Sequence, residues 1–196
     1  MTADAGLTPP DDPVEALRRA YHYGPTGPVS AVYAWLDLIK AGDFASAWTR
    51  MDDNLRLCRA QAWLWANRKH EDIASRNLEQ EARHLVELPS RSAFWSDFAA
   101  TELDQLYESW ERFLDANEDG TLGAASHSRV MGPELEIVVL QDTGTQGTVI
   151  YDQDTLILDA FVFTLRLADG GWKVAAYGDF IPTPGWPPEF ERPAGS

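Results

Sequence analysis

TLILDAFVFTLRLADGGWKVAAYGDFI, residues 155–181, carries the reading that decides the fold. Apolar and polar side chains alternate along TLILDAFVFTLRL (155–167) and again along GWKVAAYGDFI (171–181), the period of a half-buried strand. Asp169, Gly170 and Gly171 between them have the composition of a tight hairpin turn. A third alternating run, ELEIVVLQ at 134–141, precedes them, so the C-terminal part of the chain predicts an antiparallel sheet.

Upstream the period is helical. Asp12, Pro13 and Gly24 bracket a short helix in DDPVEALRRAYHYG, and from Pro28 onward Val29, Val32, Leu36 and Ile39 stack at helical spacing beside Trp35. Gly42 closes that helix, and Asp43 caps the next, FASAWTRM. Leu55, Cys58, Ala62 and Trp65 mark a helix from Asp53 to about Asn67, continued more weakly from Ile73 to Leu88 and broken by Pro89. The strongest amphipathic signal follows in residues 92–114, where Trp95, Phe98, Leu103, Leu106, Trp110 and Phe113 share one side. Helices first and an antiparallel sheet last predict an α+β fold, with the helices at 29–40 and 93–114 laid on one face of a sheet spanning 134–181. The expected organisation is a flexible arm at 1–12, one domain at 13–182 and a proline-rich tail at 183–196. The tail's prolines keep IPTPGWPPEF out of a central strand, and it is expected to lay Trp186 over an apolar edge.

Sixteen basic against thirty-one acidic residues in 196 give a formal charge of -15, which repels nucleic-acid phosphates and anionic lipid alike. No run approaches the ~20 apolar residues that span a bilayer. Cys58 is the single cysteine and has no internal partner, and MTADAGLTPPDDP lacks the basic start and apolar run of a signal peptide, so a cytoplasmic protein is predicted. Cys58 itself lies on an apolar stripe and reads as a small core residue rather than a nucleophile. His22, His70, His84 and His127 lack the spacing of metal ligands, and no phosphate-cradling glycine loop or nucleophile elbow occurs, so neither metal nor cofactor is expected. DANEDGTLGAAS (115–126) matches a calcium loop at Asp115, Asn117, Asp119 and Gly120, but its twelfth position is Ser126 instead of a bidentate glutamate. Calorimetric titration is therefore expected to show no calcium affinity tighter than the millimolar range; micromolar binding would contradict the reading.

AVYAWLDLIKAGDFASAW (31–48) and LRLADGGWKVAAYGDF (165–180) together resemble the nuclear transport factor 2-like superfamily: a long helix, an "AGD" corner, a short helix, then a curved sheet ending in a "DGGW-K-V" strand. The resemblance implies a cone-shaped container, home to cofactor-free isomerases, dehydratases and polyketide cyclases as well as to binding and assembly domains. It also implies a homodimer through the open sheet face. The stretch from about 54 to 125 is longer and more helical than the family's middle. Ketosteroid isomerases place a tyrosine eight positions before the corner aspartate, where this chain has Trp35, and their base carboxylate has no counterpart here. A tryptophan at that position either narrows a site for an aromatic ligand or closes the core.

Asp159 stands in a row with Ile157, Phe161, Phe163, Leu165 and Leu167, a carboxylate on an otherwise apolar face. Either it is held in the interior, where desolvation would favour its neutral form, or it lies near a strand end and reaches water. Strand parity sets Trp172, Val174 and Ala176 on one face and Tyr177 and Asp179 on the other, where the latter pair could supply a phenol and a carboxylate to one pocket. The candidate catalytic residues are thus Asp159, Tyr177 and Asp179, and the candidate ligand-binding residues are Tyr33, Trp35, Phe161 and Phe163. Two functions stay open: a small-molecule-binding domain, with or without acid/base chemistry on an apolar or aromatic substrate, and a non-catalytic interaction or assembly domain.

Overall fold

The computed structural model describes residues 26–118, 127–130, 135–141, 160–168, 171–178 and 181–191. The expected arm, the helix at 11–24, and both Asp159 and Asp179 lie outside these described residues.

Helix α1 (Pro28–Lys40) has proline at its first position, where a missing N–H leaves no intrahelical bond unmade. The corner after it is built as its residues require. Gly42 takes a φ of 72°, and the Asp43 carboxylate accepts from the Ser46 amide at 3.1 Å to start α2 (Phe44–Thr49). Asp52 caps α3 (Asp53–Ala66) in the same way. The weak periodicity over 73–88 has a cause: the segment is two helices, α4 (Glu71–Ala74) and α5 (Leu78–Glu87), the second capped by Asn77. A short 3-10 turn at Pro89–Arg91 leads to α6 (Trp95–Glu118). α6 runs through Asp115 and Asn117, so the first two calcium-loop positions belong to a helix, and the rest of that loop, 119–126, lies outside the described residues.

Strands β1 (His127–Val130), β2 (Leu135–Gln141), β3 (Ala160–Ala168) and β4 (Gly171–Tyr177) form a four-stranded antiparallel meander in chain order. The fold is therefore α+β with an antiparallel sheet, as predicted. Three details differ from expectation. First, Gly178, at φ 78°, ends β4, and Ile181 belongs to a separate two-stranded sheet of β5 (Ile181–Thr183) and β6 (Glu189–Glu191). The proline-rich segment thus does leave the main sheet, but as a hairpin with its own pairing. Second, α6 packs chiefly on α1 and α2, while α1 makes the contact with β2 and β4. Phe98 and Leu106 of the α6 apolar stripe are buried, and Tyr107 Oη donates to the Lys40 carbonyl at 2.7 Å across the α1–α6 seam.

The third difference is a β-bulge. Thr164 faces Ala176 but Leu165 faces Val174, so Ala175 is the extra residue of β4. Trp172 and Val174 keep the parity of Leu167 and Leu165; beyond the bulge the parity reverses, and Tyr177 stands opposite the fully buried Phe163. The simple alternation that put Tyr177 on the face away from Val174 is overturned by this single extra residue.

The core sits between α1 and this sheet face, where Val32, Trp35, Leu36 and Ile39 meet Val138, Phe163, Leu165 and Val174. The remaining edge of β4 is covered by the α2–α3 connection, where Val174 N donates to the Arg50 carbonyl and the Asp52 amide to the Val174 carbonyl, a parallel bridge that seals the strand against further pairing. Among the described residues no helix is long and apolar enough to cross a membrane.

Candidate functional site

The bulge delivers Tyr177 to a cleft of about 350 Å³ between α3, the end of β4 and the β5–β6 hairpin. Leu55 and Arg59 contribute from α3, Ala176 and Tyr177 from β4, and Pro182 and Phe190 from the hairpin. The volume lies at the lower end of the range for small-molecule sites. The hairpin is tied down by three bonds: Gly185 N donates to Gln61 Oε1 at 2.9 Å, Trp186 Nε1 to Glu79 Oε2 at 2.6 Å, and the Cys58 thiol to the Glu189 carbonyl at 3.6 Å. Trp186 therefore does pack over the helical layer, and its indole holds the Glu79 carboxyl below the usual range.

One end of the cleft is polar. Arg59 Nε donates to Glu102 Oε2 at 2.6 Å and its Nη2 to Gln105 Oε1 at 2.8 Å, so two residues of α6 fix the plane of the guanidinium and Nη1 is used by neither bond. Glu102 is 3% exposed. Its burial pushes the carboxyl upward, opposed by Arg59. Burial also disfavours the charge on Arg59, but the Glu102 carboxylate hydrogen-bonded to it opposes this, and the guanidinium stays protonated. Burial pushes the Tyr177 phenol up to about 12, so at neutral pH it is a hydrogen-bond donor and not a base. Cys58 is buried, and desolvation raises its thiol to about 11, in keeping with a core residue.

The chemistry available follows from this list. An apolar body fits between Leu55, Ala176, Pro182 and Phe190, and an acceptor atom on it can meet the Arg59 guanidinium; Tyr177 lines the cleft, but its hydroxyl is buried beneath the surface and a ligand reaches it only where the wall gives way. Among the described residues no carboxylate or imidazole lines the cleft. Asp159 and Asp179 lie outside the described residues, and Phe161 is placed only by its register opposite Leu140. Trp35 and Phe163 are each 0% exposed and form the core behind the cleft, with the Trp35 ring stacked on Tyr177 at 5.6 Å and meeting Phe163 edge-on at 6.1 Å. Trp35 Nε1 is buried with no hydrogen-bond partner among the described residues. Tyr33 packs partly buried beside this cluster.

Arg59 and Glu102 are absent from the sequence-predicted site. A signal for Glu102 exists: Phe98, Glu102 and Leu106 recur at i, i+4 and i+8 of α6, so a carboxylate interrupts an apolar helix face. Arg59 follows Leu55 by four residues on α3 in the same way. Among the described residues no cluster of histidine, cysteine or carboxylates is arranged to hold a metal ion. No protein-family model, curated protein or solved structure matches this chain.

Proposed function

We propose that this chain is a cytoplasmic small-molecule-binding domain of the nuclear transport factor 2-like kind, and that its site is the cleft beside Tyr177. Its ligand is an apolar or aromatic molecule that presents an acceptor, such as a carbonyl oxygen, to Arg59 and Tyr177. The observation that carries this reading is a guanidinium, fixed by Glu102 and Gln105, at one end of an otherwise apolar cleft, with Tyr177 in the cleft wall and its protonated hydroxyl buried behind it. The resemblance of residues 31–48 and 165–180 supports the superfamily. Cofactor-free acid/base turnover of the cyclase, isomerase or dehydratase type would use Tyr177 to polarise the carbonyl, with Asp159 or Asp179 as the base.

Chemical-shift mapping with acetophenone, a small aromatic ketone, tests the binding site. Shifts are expected at the amides of Leu55, Arg59, Ala176, Tyr177 and Phe190. Shifts scattered over the surface, or none, would contradict it.

The second reading, a non-catalytic interaction or assembly domain, is favoured by one observation: the space between α1 and the sheet is filled by Trp35 and Phe163. In either case we propose a homodimer through the sheet face away from α1, where Leu135 and Ile137 are half-buried opposite Arg166 and Thr164. Sedimentation equilibrium is expected to give a mass that rises with concentration toward twice 21.9 kDa. A monomer mass at every concentration would refute the dimer.

A further inference from the structure

A second pocket, of about 290 Å³, opens between the C-terminal turn of α3, α4 and the first turns of α6, and it shares no residue with the cleft. Its inner wall is a corner of two aromatic rings, Trp63 and Phe94, with centroids 6.1 Å apart and planes inclined at 46°. Phe94 is 7% exposed, Ile73 closes the base at 3%, and Trp63 is partly exposed, so the corner is solvated only from the pocket's open side. The polar rim is acceptor-rich. Asp72 and Asp97 contribute carboxylates. Asn67 spends its Nδ2 on the Trp63 carbonyl at 2.8 Å, leaving its amide oxygen, and Thr101 donates to the Asp97 carbonyl while accepting from Trp63 Nε1. His70 also stands on the rim, its Nδ1 3.7 Å from an Asp72 carboxylate oxygen. Among the described residues no lysine or arginine lines the pocket.

We infer that this pocket binds a small organic cation of the alkylammonium class, whose charge rests on the Trp63 ring and is balanced by Asp72 and Asp97. Three observations converge on that chemistry. The negative face of an indole attracts a cation, most strongly where water is partly excluded. The carboxylates at the rim supply counter-charge, with no arginine or lysine among the described lining residues to neutralise them. The chain's formal charge of -15 raises the local concentration of cations while repelling anions. The same region already places its own cations on rings: the Arg68 guanidinium stands 4.2 Å from the Trp65 centroid and that of Arg76 5.8 Å from Phe94. Trp63 carries no such cation among the described residues, and its ring forms part of the pocket wall. An alkylammonium suits the site better than a metal ion, since the corner offers π faces and apolar surface where a metal needs converging oxygens.

Calorimetric titration of the full chain with choline chloride, and in parallel with its uncharged carbon isostere 3,3-dimethylbutan-1-ol, tests the inference. Choline is expected to bind saturably at one site, and the isostere about tenfold more weakly or not at all, the cation–π contribution being on the order of 1 to 2 kcal/mol. The combined variant Asp72→Asn, Asp97→Asn, which alters only rim side chains, is expected to weaken choline binding about fivefold or more, and Trp63→Leu to abolish it. Because Trp63 also packs against Phe98, the melting curve of Trp63→Leu is recorded first; if that variant does not fold, the rim variant and the isostere decide. Equal affinity for the two molecules, absence of saturable binding, an undiminished choline affinity in the rim variant, or choline binding that survives in folded Trp63→Leu would each overturn the assignment.

Discussion

Replacing Arg59 with Met is expected to lower stability by about 3 to 5 kcal/mol near neutral pH, the usual result of removing one partner from a buried ion pair. The loss is asymmetric between the partners. Arg59 still has 18% of its side-chain surface exposed, whereas Glu102 has 3% and depends on Arg59 Nε at 2.6 Å. The deficit should also depend on pH with a definite sign. Glu102 already has its folded pKa raised by burial, with Arg59 opposing the rise. Such a group contributes stability that is fully present below its unfolded pKa and is lost as pH climbs through the folded one. Without Arg59 the rise is larger, so the deficit should be smallest near about pH 4 and widen toward about pH 8. Urea denaturation of both proteins across that range measures it. A deficit that stays constant, or shrinks as pH rises, would show that Glu102 is not held in a desolvated pair.

Trp35→Ala is the second change with a large expected effect, about 3 to 5 kcal/mol, from lost transfer energy and the void left behind. Trp35 is fully buried and contacts both Phe163 and Tyr177, so neither strand can collapse into the gap without moving the other. The void would adjoin the cleft through Tyr177. Added indole is therefore expected to raise the melting temperature of the variant in proportion to the logarithm of its concentration, and to leave the wild type unchanged. Equal response of the two proteins would mean that the space is not opened by the substitution.

What could be read from the sequence was what local chemistry controls. The first helix, its Gly42 stop and the Asp43 cap follow from a proline, a left-handed glycine and a carboxylate within reach of Ser46 N, all within a few residues of one another. The β3–β4 hairpin likewise follows from alternation on both sides of a glycine turn. Where long-range packing decides, the sequence carries less. Strand parity is transmitted residue by residue, so the unpaired Ala175 reversed the side assigned to Tyr177, and alanine announces a bulge less plainly than glycine would. The destination of α6 was misjudged because an apolar stripe shows that a partner exists without showing whether it is a sheet or two other helices. β1, with the sequence HSRV, offers too little apolar content to register as a strand. The polar end of the cleft was half legible: Tyr177 was singled out, while Arg59 and Glu102, forty-three residues apart, are joined only by the packing of α3 against α6.

The cleft beside Tyr177 as a ligand site with a phenol donor is tested most directly by the affinity of acetophenone for the wild type and for Tyr177→Phe, measured by calorimetry. Phenylalanine keeps the ring stacked on Trp35 and removes only the hydroxyl, so a loss of one hydrogen bond is expected, weakening binding about threefold to tenfold with the melting temperature little changed. Equal affinity in the two proteins, or no binding in either, would contradict the account.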